Sequence, residues 1–100
     1  MITAEFSLAI DESVIRPIPA YRKPPFTFQL VPGVGGTGTV YTTNDRVVSA
    51  SSAWTLLDTD ASGWASGVAS VDSAPAAVYS PITGYKIVAN VAALTAKVTY

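Results

Sequence analysis

Apolar and polar residues alternate along much of this chain, and the alternation has the period of a strand, not of a helix. In residues 3–10, Ala4, Phe6, Leu8 and Ile10 occupy every second position with polar or small residues between them, the mark of a strand buried on one side. Asp11-Glu12 closes that run, and residues 13–18 give a weaker extended piece. Phe26, Phe28 and Leu30 restore period 2 before Pro32-Gly33, a turn dipeptide. Further strands are predicted over 39–43, 54–57 and 77–80. Two more follow at 85–91 (Tyr85, Ile87, Ala89, Val91) and 94–100 (Leu94, Ala96, Val98, Tyr100). Residues 44–46 read as a turn, and 49–53 and 58–67 as loops. The Ala-rich stretch 88–96 has some helix propensity, but its β-branched and aromatic neighbours favour a strand. Many short strands without a 3.6-residue apolar period predict an all-β chain, a single antiparallel β-sandwich or jelly-roll-like domain.

Residues 16–25 interrupt the pattern. Pro17, Pro19, Pro24 and Pro25 each remove an N–H donor and fix φ, which excludes a helix or a central strand and predicts an extended, polyproline-like segment. The chain therefore divides into residues 1–25, an extended N-terminal arm or edge strand with a proline-rich linker, and a β-sandwich domain over 26–100. The arm can add a strand to a neighbour's sheet edge or complete the protein's own sandwich, and the sequence leaves both open. Its apolar set, Phe6, Leu8, Ile10, Val14 and Ile15, is the expected contact with a neighbour. Arg16, Arg22 and Lys23 are expected to pair with acidic groups on it.

Composition sharpens this picture. The chain is 49% hydrophobic and only 13% charged, against about a quarter charged in ordinary soluble domains. So few charges keep copies apart poorly, which points to a surface covered by partners and to a homo-oligomer. A net charge of −1 provides no basic field for nucleic acid. The uncharged stretch 73–85 holds Pro75, Pro81 and Gly84, so it does not suit a membrane span of about 20 apolar residues. Residues 1–6 have neither a basic region nor an apolar core, so no signal peptide is read there, and synthesis in the cytoplasm is expected.

Candidate chemistry is sparse. Cysteine and histidine are both absent, which removes thiolate ligands and the side chain that titrates near neutrality. Asp58 and Asp60 are a close acidic pair in the 58–67 loop, and acids so placed in a turn more often cap backbone N–H groups than hold Ca²⁺. No Gly-x-Ser-x-Gly occurs. The glycines of residues 33–38 precede a strand instead of opening a helix, so they read as a β-loop and not as a phosphate cradle. No catalytic residue, metal or cofactor is expected. Among the aromatics, Trp54 and Tyr85 are expected in the core. Tyr21 and, above all, Trp64, set between Gly63 and Ala65, are expected at an interface.

Residues 37–57 run as a strand, Thr-Thr-Asn-Asp, a loop and Trp-Thr-Leu-Leu-Asp; residues 81–100 run as Pro, Gly-Tyr-Lys-Ile-Val-Ala-Asn-Val and Leu-Thr-Ala-Lys-Val-Thr-Tyr. Together they resemble the small β-sandwich structural proteins of tailed-phage virions, with Lys86 and Ala96 standing where Arg and Gly are usual in that group. The resemblance implies a virion part, made in the host bacterial cytoplasm, whose partners are other virion proteins. The expected function is that of a non-catalytic structural protein, foremost a capsid decoration (cement) protein binding the major capsid protein or neighbouring subunits. The alternative is a carbohydrate- or receptor-binding module of a tail or fibre.

Overall fold

Segments in which every second residue is apolar can bury one face only by stacking on another sheet, and this chain does so twice over. The computed structural model describes residues 2–70 and 73–100. In chain order the strands are β1 (Thr3–Leu8), β2 (Ser13–Pro17), β3 (Phe26–Pro32), β4 (Thr37–Thr43) and β5 (Thr55–Leu56). They continue with β6 (Trp64–Ala65), β7 (Val68–Ala69), β8 (Ala76–Val78), β9 (Gly84–Asn90) and β10 (Leu94–Thr99). The first sheet has the order β1-β10-β3-β8, the second β2-β9-β4-β7-β6 with β5 beside β4. All the pairings are antiparallel. The two sheets make a β-sandwich, the class that the alternation predicts.

The first sheet turns Leu8, Phe26, Phe28, Leu30, Leu94 and Val98 inward, and the second answers with Val14, Val40, Tyr85 and Ile87. Tyr85 meets Phe28 edge to face at 5.5 Å and Phe6 at 6.3 Å between ring centroids. Burial, aided by the nearby Tyr100, pushes the Tyr85 hydroxyl up to about 12, with Arg16 pulling the other way. Gly38 lets β4 approach the opposite sheet, because a Cβ there would collide with the Leu94 and Leu30 side chains. Beside β3, the buried Ser73 completes the ladder. Leu30 N–H donates to Ser73 Oγ (2.9 Å) and Ser73 N–H to the Leu30 carbonyl (3.0 Å).

Of the two arrangements open for the N-terminal segment, the structure has the one in which it completes the protein's own sandwich. β1 lies along β10 with Thr3 opposite Thr99 and Leu8 opposite Leu94, and β2 lies along β9 with Val14 opposite Ile87. Leu8 and Val14, expected as contacts with a neighbour, are buried in this core. Their period-2 pattern is the same whether the covering sheet belongs to this chain or another, and here the chain supplies it.

Both tryptophans depart from their expected places. Trp64 is only 6% exposed and donates Nε1–H to the Ala74 carbonyl at 2.8 Å, so it is a core residue and not an interface contact. Ser66 and Gly67, at φ 48° and 81°, form the two-residue turn between β6 and β7, a turn type that demands positive φ at both positions. Small Gly63, Ala65 and Ala69 around it leave room for the indole. Trp54, expected in the core, is half-buried beside Lys86, whose ammonium lies 5.4 Å from its ring and 4.8 Å from that of Tyr41.

Candidate interaction surfaces

The strands lead to two ends of different character. At one, called the loop end, the chain crosses between the sheets three times, through residues 9–12, 33–36 and 91–93. Two bonds tie these crossings together and a third closes the first of them. Val91 N–H donates to Asp11 Oδ1 (3.3 Å), Gly33 N–H to the Ala93 carbonyl (2.8 Å), and Ala9 N–H to Glu12 Oε1 (3.3 Å). Each crossing contains one residue in the left-handed region: Asp11 at φ 59°, Gly35 at 77° and Val91 at 73°. Asp and Gly accept this region readily, but a β-branched residue there is a true outlier. Each crossing also presents an aliphatic side chain to solvent: Ile10 is 62% exposed, Val91 69%, and Val34 projects fully.

The opposite end, called the arm end, gathers residues 18–25, 44–48 and 79–83. Thr83 fastens it, donating its hydroxyl to the Thr43 and Asp45 carbonyls (3.1 and 2.7 Å) and its carbonyl accepting Ile18 N–H (2.8 Å). A cleft of about 430 Å³ opens here, walled by Ile18, Pro19, Val48, Pro81 and Ile82 with Arg22 and Arg46 at its margin. Arg22 stacks between Tyr21 and Tyr100, 5.2 and 5.8 Å from the ring centroids, and its buried Nε has no acceptor among the described residues. Tyr21 and Lys23 are exposed beside it and line a second cleft, of about 380 Å³.

Along one side run the sheet edges β1 and β2. Ala89 N–H bonds to the Glu12 carbonyl and Ile18 N–H to that of Thr83, so residues 13, 15 and 17 turn their backbone groups away from β9. That free edge is closed locally. Arg16 donates to the Ile15 carbonyl at 2.9 Å, and Pro17 has no N–H to offer. The Arg16 guanidinium also lies 5.5 Å from the centroid of the half-buried Phe6 ring on β1, bridging the mouth of the sandwich. The partner of Arg16 is thus an aromatic ring and a carbonyl of its own chain. Ile15 is half-buried on the outer face of the second sheet, opposite Lys86.

Of the residues expected at an interface, Ile10, Tyr21 and Lys23 are exposed, Phe6, Ile15 and Arg22 are half-buried, and Arg16 is exposed but engaged. Sequence reasoning missed Val34 and Val91. The signal for Val34 was a lone bulky residue between glycines, where no strand could use it. Asp60 Oδ1 accepts Ser66 N–H (2.8 Å), the capping role read for an acid in a turn, and no group of three or more acidic, His or Cys residues gathers among the described residues. Fold and surface define an antiparallel β-sandwich with an aliphatic loop end and a basic, aromatic arm end. No family model, curated protein or solved structure matches the chain.

Proposed function

We propose that this protein is a non-catalytic structural component of a phage virion, a capsid decoration protein that fastens to neighbouring subunits. The observation that carries the reading is the loop end, where Ile10, Val34 and Val91 stand out from three mutually bonded crossings. Exposed aliphatic groups on fixed loops contribute nothing to the protein's own core. They suit burial against another protein, where each can contribute about 1.5–3 kcal/mol. The low charge of the chain supports the same reading, as does the resemblance of residues 37–57 and 81–100 to virion sandwich proteins. The test is to add the protein to particles lacking it and measure occupancy for the wild type and for Val34→Asp. Occupancy that falls with the substitution supports the reading. Equal occupancy removes the loop end from it, and binding of neither protein to any particle removes the virion role. A shift in aromatic fluorescence on adding host glycans, without particle binding, would favour a carbohydrate-binding module instead.

A further inference from the structure

The charged residues are divided between the two ends. Asp11 and Glu12 are exposed at the loop end, and no basic residue lies in its three crossings. Arg22, Lys23 and Arg46 lie at the arm end. The acid there, Asp45, is half-buried, with its Oδ2 accepting Ala53 N–H at 2.8 Å, whereas Asp11 and Glu12 are exposed. The apolar shapes are divided as well: aliphatic side chains project at the loop end and an apolar-walled cleft is recessed at the arm end.

The geometry points to a second copy of this chain as the occupant of the arm-end cleft, docked head to tail through its loop end. This rests on the reading of the loop end as a docking surface and names its partner. Three observations support it. Aliphatic tips from one copy fit a cleft of about 430 Å³ walled by Ile18, Val48, Pro81 and Ile82 in the next. Asp11 and Glu12 then come to the margin occupied by Arg22, Lys23 and Arg46. Either symmetric alternative opposes like charges, acids at a loop-to-loop contact and bases at an arm-to-arm contact, which complementary interfaces avoid. Val91 adds an independent indication. Its left-handed backbone at φ 73° favours glycine, so a bulky, 69% exposed side chain is held there against the preference of the turn. Backbone strain of this kind is a pointer to use outside the fold. A head-to-tail contact is heterologous, so it closes into a ring or extends as a filament.

The test uses the full chain in sedimentation velocity over a range of concentrations, with variants that disable one end each. Val34→Asp blocks the loop end, and Lys23→Glu with Arg46→Glu blocks the arm end. All three residues project from the surface, and circular dichroism confirms that each variant is folded. The wild type is expected to grow in mass with concentration, and to do so less in about 0.5 M salt, where the charge pairs are screened. Each blocked variant alone should associate at least about tenfold more weakly. Their equimolar mixture should stop at a dimer, because it holds one intact loop end and one intact arm end. Val91→Gly should weaken association while raising the melting temperature, a combination that a purely structural role does not produce. A wild type that stays monomeric overturns the proposal. So does a mixture that forms no dimer, or a Val34→Asp protein that associates as the wild type does. A monomeric protein that still occupies particles through its loop end leaves the docking surface standing and removes only the second copy as its partner.

Discussion

The Trp64 region and the Trp54 region are made from similar material, an indole among Ala, Ser, Thr and Gly, yet they take opposite positions. Around Trp64 the backbone closes on itself. Ala74 N–H donates to the Ser62 carbonyl (2.7 Å), the Ala74 carbonyl accepts the indole N–H, and Ser73 next to it bonds to β3. Around Trp54 the loop is tied by serines, with Ser49 N–H donating to Ser52 Oγ (2.9 Å) and Ser52 Oγ to the Val47 carbonyl (3.0 Å). There the buried indole nitrogen has no partner among the described residues, and the half-buried ring lies beside Lys86 of β9 and not within the core. Trp64 enters the core where its one polar atom has an acceptor, whereas Trp54 keeps part of its ring in solvent and bears the cost of a buried N–H without one.

The comparison can be broken most sharply at Trp64. Trp64→Ala removes the largest side chain of that part of the core and is expected to destabilise by about 3–5 kcal/mol in denaturant unfolding; a loss no greater than that of Trp54→Ala would end the distinction. Ser73→Ala should cost about 1–3 kcal/mol, because it leaves the buried Leu30 N–H without an acceptor while removing little volume. Trp54→Ala gives up half-buried area and an unpaired donor together, so a smaller loss, about 1 kcal/mol, is expected from the same melts. The smallest effect at neutral pH belongs to Tyr85→Phe, which shows itself only in alkali. The folded state holds this hydroxyl near 12 against 10.0 for the free group. It therefore favours the protonated phenol, and the corresponding stability is complete below pH 10 and lost as pH rises towards 12. Unfolding midpoints over that window should fall more steeply for the wild type than for Tyr85→Phe, and parallel curves would show that the hydroxyl is not the cause.

Much of the sandwich is legible in the chain because β1, β3, β9 and β10 are long and bury one face each, so Phe6, Phe28, Ile87 and Val98 fall on a period that only a strand satisfies. β6 and β7, with two residues apiece, are too short to show any period, and the burial of Trp64 was lost with them. The interface set was only partly readable. Ile10 ends an alternating run and remains exposed, whereas Leu8 and Val14 carry the same pattern and are enclosed. Which sheet covers a strand is a long-range fact, fixed by pairings such as Leu8 with Leu94 that no local window contains. Val34 was hidden because a turn sequence draws attention to its glycines, and Val91 because it continues the alternation of Tyr85, Ile87 and Ala89 although β9 ends at Asn90 and Val91 turns to solvent. Arg16 was read as a partner for acids because the ring it covers belongs to the other sheet.

That arginine, with the proline after it, has a consequence for how the protein fails. A sheet edge with free backbone groups is a template on which further chains can grow, and a chain with only 13% charged residues has little repulsion to oppose such growth. By occupying the Ile15 carbonyl and placing Pro17 next in line, the sequence interrupts the template at its middle and at its end. Losing Arg16 would therefore harm the native state little and would instead open a route to fibres, with a lag before growth and a dependence on seeding that ordinary unfolding lacks. The residue protects neighbouring copies from joining side by side through their sheet edges.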